Sequence, residues 1–228
     1  MDVPSTLLSP PLCLVAALLF LAALLQAWHR ADWSRLKARD MQHVYFGAMA
    51  LLTLFWFMRA GIRPGLNLHL LGAGLLTLMF GRAQALIALA VVTTGMHLAH
   101  GGDWVSLGVN GLLLAVIPTA LAELLLRLAQ ALLPPNFFVY VFVNGYIGSG
   151  LSLCLAALSG SLLLGLLGSY SWHYLFTEYL PFAALLSFGE GFLSGGLAAL
   201  MAVYRPRWIA SFDDRFYLAK EPSGRFDG

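Results

Sequence analysis

Residues 7–28 read LLSPPLCLVAALLFLAALLQAW, a run that contains no charged side chain. A helix needs about 20 mostly apolar residues to cross the hydrocarbon core of a membrane. The rest of the chain has the same character, since 60% of its 228 residues are hydrophobic and 11% are charged, against about 25% charged in soluble domains. The sequence therefore predicts an all-α, polytopic membrane helical bundle. The small net charge of +2 gives no indication of a nucleic-acid partner.

Seven apolar segments are candidate membrane spans. We expect them at about residues 7–28, 43–59, 67–80, 83–100, 107–133, 137–168 and 180–204. The whole chain, 1–228, is predicted to be a single integral membrane domain. Within it we expect an outward N-terminal segment over 1–6, a seven-helix bundle over 7–204 and a cytoplasmic polar tail over 205–228.

The basic residues predict an orientation for these seven spans. One side of the membrane would hold eleven of them: Arg30, Arg35, Lys37, Arg39, Arg82, Arg127, Arg205, Arg207, Arg215, Lys220 and Arg225. The other side would hold only Arg59 and Arg63. Because positively charged loops stay in the cytoplasm, we expect the N-terminus outside and the C-terminus inside. No Lys or Arg precedes the first apolar run, so we expect a retained span and not a cleaved signal.

Four of the six histidines fall on the predicted outer side: His69, His97, His100 and His173. Imidazole suits nickel, cobalt, copper and zinc, so these side chains indicate a capture site for a divalent cation. His97 and His100 lie three residues apart, a spacing at which two side chains can share a ligand. Contact with headgroups or water is the alternative for this pair. His69 precedes Gly72 and Gly74, which leave room for another segment.

Several polar side chains interrupt the apolar spans. Glu190 is costly in lipid and is a functional candidate by default, while a hydrogen bond to a neighbouring span is an equal alternative. Glu123 and Arg127 stand at i and i+4 and are expected to pair. Asn110 and Asn144 are expected to bond between helices.

Catalytic and nucleotide-binding motifs are missing from the sequence. It contains no GxxxxGK[ST] phosphate loop, no HExxH and no GxSxG, so we expect no enzyme activity and no bound cofactor. The two cysteines, Cys13 and Cys154, lie in separate apolar runs and form no metal motif. If the protein moves its substrate uphill with ATP, partner chains must supply the ATPase.

Four stretches resemble one family. They are VPSTLLSPP (3–11), LNLHLLGAGLLTLMFG (66–81), DWVSLGVNGLLLAVIP (103–118) and PFAALLSFGEGFLSGGLAALMAVYRPRW (181–208). They are similar to the CbiM/NikM group, the substrate-specific membrane components of energy-coupling-factor transporters for cobalt and nickel. The resemblance implies a multi-pass protein of the bacterial plasma membrane that works with a transmembrane scaffold subunit and ATPase subunits. It also implies a helical bundle into which the outward N-terminus inserts.

The resemblance also implies a metal site. In the family, the N-terminal amine, the backbone nitrogen and histidine ring of the second residue, and a histidine of the third helix hold the metal. Carried over by position, these ligands are Met1, Asp2 and His69. The sequence departs from the family at Asp2, where a carboxylate replaces an imidazole, and at Ser5-Thr6, which replace an acidic-glycine pair. A hard oxygen ligand weakens nickel or cobalt binding and shifts preference toward a harder ion.

Two functions follow from these observations. The first is a substrate-binding component for uptake of cobalt or nickel, the metal being the transported substrate. The alternative is a diverged member of the family that does not transport metal and serves as a structural or assembly protein of the membrane.

Overall fold

The computed structural model describes residues 2–58, 60–61, 63–101 and 103–217, so Met1 of the predicted site lies outside the described residues. Eight helices are present among them: α1 (Pro10–Arg30), α2 (Arg39–Phe57), α3 (Ala73–Phe80), α4 (Arg82–Ala99), α5 (Leu107–Leu132), α6 (Phe137–Leu166), α7 (Trp172–Tyr204) and α8 (Asp214–Tyr217). The short strands β1 (Ala60–Gly61) and β2 (Asn67–Leu68) pair antiparallel. The described residues also include three 3₁₀ turns: Ser5–Leu7, Arg35–Lys37 and Pro206–Trp208.

Within the described residues, five helices are long and apolar enough to cross a membrane, namely α1, α4, α5, α6 and α7. Their outward faces carry large exposed apolar side chains, such as Leu18 on α1, Leu124 on α5 and Phe192 on α7. Apolar surface exposed to water costs about 25 cal/mol per Å². Contact of these side chains with lipid removes that cost. The prediction of an all-α, multi-pass membrane bundle is confirmed, whereas the count of seven spans stays a prediction.

Three of the long helices contain a π-helical stretch: Leu112–Val116, Tyr140–Gly148 and Leu175–Tyr179. The first and the last end just before Pro118 and Pro181. Proline has no N–H and clashes with the carbonyl four residues earlier, and the wider π turn accommodates both defects within a continuous helix. Helix α7 consequently begins at Trp172 and not near residue 180, where its start was predicted.

The third predicted span, 67–80, is helical only from Ala73 onward. Its first half contains β2 and a non-helical stretch that ends at Gly72, whose φ of 71° is left-handed. A Cβ on Gly72 would also approach Leu52 Cδ1 to 2.7 Å, so only glycine suits both the backbone and the space. The predicted helical position of His69 is therefore wrong, and this residue lies on a non-helical segment beside α2.

Small residues bring the inner helices close together. A Cβ on Gly74 would lie 2.5 Å from the Cα of Ser149, and one on Gly191 would lie 2.6 Å from the carbonyl oxygen of Tyr146. These contacts pack α3 and α7 against α6. Such close approach lets dispersion hold helices together where lipid offers no hydrophobic driving force.

The connecting segments gather at two ends of the bundle. At the first, called the N-terminal end, lie segments 2–9, 63–72, 103–106 and 167–171, and there the Tyr170 hydroxyl donates to the carbonyl of Pro64 at 2.8 Å. At the second, called the C-terminal end, the Arg35 guanidinium donates to the carbonyls of Met79 at 3.4 Å and Arg207 at 3.2 Å. Arg35 thus ties the α1–α2 turn to the segment that follows α7.

Candidate metal site at the N-terminal end

The N-terminal segment is docked into the bundle through Val3. Its side chain is fully buried, so the backbone polar groups around it need partners inside the protein. The side chain of Asn110 on α5 supplies them: Val3 N–H donates to Asn110 Oδ1 at 2.8 Å, and Asn110 Nδ2 donates to the Val3 carbonyl at 3.0 Å. A carboxamide carries one acceptor and one donor group, which matches the two groups of a single residue.

A second contact holds the same segment two residues further on. The Ser5 N–H donates to the carboxylate of Asp103, in the loop between α4 and α5. Burial of Asp103 works against its ionisation, but the hydrogen bonds from Ser5 and Ser106 outweigh burial and lower its pKa below the ordinary value. The N-terminal segment is therefore fastened at both Val3 and Ser5.

The docked segment packs against the loop that carries His69. A Cβ placed on Gly65 would lie 3.5 Å from Leu7 Cδ1 and 3.6 Å from Pro4 Cδ. Leu66, the next residue, is fully buried. The structure thus brings together the two segments that the sequence predicted to form the site.

His69 is buried and its ring is constrained. The ring lies 4.5 Å from that of Trp56 on α2, at a tilt of 46°. Its Nδ1 is 3.1 Å from the carbonyl oxygen of Leu70. Because a carbonyl oxygen only accepts, a neutral ring carries its proton on Nδ1 and its lone pair on Nε2. That is the tautomer in which an imidazole ligates a metal through Nε2.

Glu190 holds the end of the His69 segment. Although it lies on α7, its Oε2 accepts from Leu71 N–H at 2.9 Å and its Oε1 accepts from Gly72 N–H at 2.6 Å. The side chain is almost completely buried. Of the two alternatives left by the sequence, the structure places Glu190 in a hydrogen-bonding role, where it positions the turn between His69 and α3.

His97 and His100 lie in different surroundings. His97 is buried, with Nδ1 at 3.0 Å from the Thr93 carbonyl and Nε2 at 3.4 Å from Asn110 Nδ2. His100 is exposed, with Nδ1 at 2.9 Å from the Met96 carbonyl, and its ring lies 5.6 Å from that of Phe57. Both ring nitrogens of His97 have protein partners, so this ring orients Asn110. The three-residue spacing of His97 and His100 does not by itself place the two rings around one ligand.

No group of three or more His, Cys, Asp or Glu side chains that could hold a metal occurs in the described part of the chain. Asp2 is half-buried at the start of the docked segment. A metal held here would need main-chain or terminal nitrogen atoms in addition to side chains. The assignment of Met1, Asp2 and His69 as ligands stays a prediction.

Comparisons with solved structures agree with this architecture. A truncated transition metal transporter aligns with a TM-score of 0.69 at 22% identity, over 90% of this chain and 97% of that one. A second transition metal transporter aligns with a TM-score of 0.68 at 22% identity, over 91% and 93%. At this identity the likeness shows the fold alone. No curated protein matches the sequence.

The described helices form a multi-pass membrane bundle into which the N-terminal segment is docked. The family model CbiM, described as the cobalt uptake substrate-specific transmembrane region, matches residues 2–208. The chain therefore belongs to the CbiM family, and it is a transmembrane component of metal uptake.

Sequence reasoning missed the partners that hold this site. Asn110 was expected only to bond between helices, and no contact of Asp103 with the N-terminal segment was predicted. Both lie in the stretch DWVSLGVNGLLLAVIP, where an acid and an amide seven residues apart flank the entry to an apolar span. That placement was the available signal, but neither partner could be identified without the fold.

Proposed function

We propose that this chain is the metal-capturing membrane component of an energy-coupling-factor transporter that takes up a divalent transition metal ion, cobalt or nickel. The observation that supports this proposal most strongly is the docking of the N-terminal segment by Asn110. The Val3 backbone is held from both sides, next to the loop that carries His69. Because Val3 is fixed in this way, the potential ligand groups of residues 1 and 2 are expected to be held beside the loop that carries His69.

The proposed ligands are the amine of Met1, the backbone nitrogen and carboxylate of Asp2, and Nε2 of His69. An amine, an amide nitrogen and an imidazole form a nitrogen-rich set that suits nickel(II) in tetragonal geometry. The carboxylate of Asp2 stands where relatives offer a second imidazole. We therefore expect weaker nickel and cobalt binding than an all-nitrogen site would give.

Calorimetric titration with NiCl₂ and CoCl₂ tests this function. The purified protein with Met1 as its first residue should bind, and His69→Ala should abolish binding. His173→Ala is the matched control, because His173 is an exposed histidine near the same end of the bundle. Binding that survives in His69→Ala, or no binding of any first-row divalent ion by the unmodified protein, would exclude the proposal.

The proposed topology has seven crossings with the N-terminus outside. The distribution of basic residues supports it, with eleven on one side and two on the other. Single cysteines in place of Ala60 and Ala38, which are exposed at opposite ends of the bundle, provide the test after Cys13 and Cys154 are replaced by serine. An impermeant maleimide should label the cysteine at 60 in intact cells and leave that at 38 unlabelled.

Energy for uptake comes from partner subunits in this proposal. The sequence has no phosphate-binding loop, so a transmembrane scaffold and ATPase subunits of the bacterial plasma membrane supply ATP hydrolysis. Reconstitution into vesicles should give uptake only when these subunits and ATP are present.

A second function is favoured by one observation, the carboxylate at position 2. A diverged family member that has lost metal transport would keep the docked segment and serve as a structural or assembly protein. It would bind no nickel, cobalt, manganese or zinc, yet would remain folded and associated with its partner subunits.

A further inference from the structure

A groove runs between α2 and α7. Its volume is about 730 Å³. Aliphatic side chains form its walls and floor, including Leu51 on α2, Leu76 on α3 and Leu197 on α7. Gly47 of α2 also lines it, and a Cβ there would meet no atom within 4 Å. The two helices are thus separated by a space that the protein does not fill.

The mouth of this groove lies at the C-terminal end and is polar. Asp40 and His43 come from the first turns of α2, Arg205 follows α7, and Trp208 lies in the next turn. Asp40, His43 and Arg205 are exposed, and within the described part of the chain neither Asp40 nor Arg205 forms an ion pair. A cationic and an anionic side chain thus flank one apolar opening, beside a tryptophan of the kind enriched at membrane interfaces.

The dimensions of the groove favour a slender occupant. Its lining on α7 extends from Glu190 to Arg205, about 22 Å at the helical rise of 1.5 Å per residue. A lipid tail that reaches from the interface to the bilayer centre spans about 15 Å, half of the hydrocarbon thickness.

We propose that the groove between α2 and α7 binds one zwitterionic amino-phospholipid, with hydrocarbon along Leu51, Leu76 and Leu197 and the headgroup between Asp40 and Arg205. The headgroup ammonium faces the Asp40 carboxylate, and its phosphate faces the guanidinium of Arg205 and the ring of His43. Both charges of one molecule are thereby matched. The headgroup site lies at the C-terminal end of the bundle, whereas the inner end of the groove reaches Glu190 and Gly72, which hold the turn after His69.

Native mass spectrometry of the detergent-purified protein tests the proposal. Phosphatidylethanolamine is added at increasing concentration, with phosphatidylglycerol as the anionic comparison. The unmodified protein should retain one phosphatidylethanolamine at least tenfold more tightly than phosphatidylglycerol. Asp40→Asn, which removes the partner of the ammonium, should abolish that preference without abolishing lipid binding.

Two glycine substitutions distinguish lipid binding in the groove from non-specific association of lipid with the outer surface of the bundle. Gly47→Phe fills the groove, and its lipid affinity should fall at least tenfold. Gly196→Phe is the matched control, because Gly196 is exposed on α7, has no atom within 4 Å of a Cβ and does not line the groove. Its lipid affinity should match that of the unmodified protein.

Three results would overturn the proposal. One is equal lipid retention in the Gly47→Phe and Gly196→Phe proteins. Another is equal affinity of the unmodified protein for the two phospholipids. The third is a dimer of this chain, or a complex with a partner helix, that Gly47→Phe disrupts while the unmodified protein retains no lipid.

Discussion

Asn110 holds the backbone of Val3 by two hydrogen bonds, although 107 residues separate them in the sequence. One amide side chain from α5 thereby satisfies both polar groups of a fully buried residue near the start of the chain. His97 lies behind it, with Nε2 at 3.4 Å from Asn110 Nδ2. These contacts connect the N-terminal segment to two helices, and the metal proposal depends on them.

Removal of this amide should release the N-terminal segment. Asn110→Ala leaves the Val3 N–H and carbonyl without these partners, at about 1–3 kcal/mol for each group that stays buried. We expect nickel affinity to fall about tenfold to a hundredfold, since each 1.4 kcal/mol is a factor of ten. Hydrogen exchange at residues 3–8 should accelerate. Asn136→Ala is the control, because it removes only the cap of α6 at the opposite end; equal exchange in both variants would contradict the docking role.

Glu190 should control the order of the His69 segment. Glu190→Gln replaces one of its two acceptor oxygens with a donor that faces a backbone N–H, so one amide loses its partner. We expect a cost of about 1–3 kcal/mol, a lower thermal midpoint and faster hydrogen exchange at Leu71 and Gly72. Glu178→Gln, an exposed glutamate of the same helix, should change neither. Unchanged exchange at residues 71 and 72 would show that Glu190 does not hold this turn.

Asp103 should make the docking of Ser5 depend on pH. Burial works against ionisation of Asp103, but hydrogen bonds from Ser5 and Ser106 lower its pKa in the folded protein below the ordinary value. Its contribution to stability is therefore complete above the ordinary pKa and is lost as pH falls through the lowered pKa. The thermal midpoint of the unmodified protein should exceed that of Asp103→Asn from neutral pH down to about pH 5, and the difference should shrink below about pH 4. A difference that changes near pH 6–7 would point to another group.

Asp2→His should restore the imidazole that the relatives carry. Nitrogen ligands favour nickel and cobalt over manganese, so we expect at least a tenfold gain in nickel affinity with little change for manganese. Asp2→Asn provides the control, because it removes the charge without adding an imidazole. Equal gains for nickel and manganese would argue against a ligand at position 2.

The lengths of the apolar runs predicted the long helices, because a membrane span must be long enough to cross the hydrocarbon core and must satisfy its backbone hydrogen bonds within itself. The prediction from run length was wrong where a proline or a distant side-chain contact determines the local backbone conformation. The seventh span was expected to start near residue 180, but α7 begins at Trp172 and continues through Pro181 by way of the π turn over Leu175–Tyr179. Residues 67–72 were expected to form the first part of the third span, yet Gly72 and the distant Glu190 hold them in a non-helical conformation.

The site was predictable only in part. Family resemblance located the N-terminal segment and His69, and the structure packs Pro4 and Leu7 beside Gly65 of that loop. Contacts across 98 residues, as between Ser5 and Asp103, leave no periodic signal in a sequence. The same holds for Glu190 and Leu71, which are 119 residues apart.

If the start of the chain forms the metal site, a change at its first nitrogen atom should alter metal binding directly. Nickel affinity is measured by calorimetry for the protein that begins at Met1 and for the same protein preceded by two glycines, with a glycine pair added at the C-terminus as the control. The N-terminal addition converts the Met1 amine into an amide and should weaken nickel binding at least a hundredfold, while the control should bind normally. Equal affinity of all three proteins would contradict a metal site at the start of the chain.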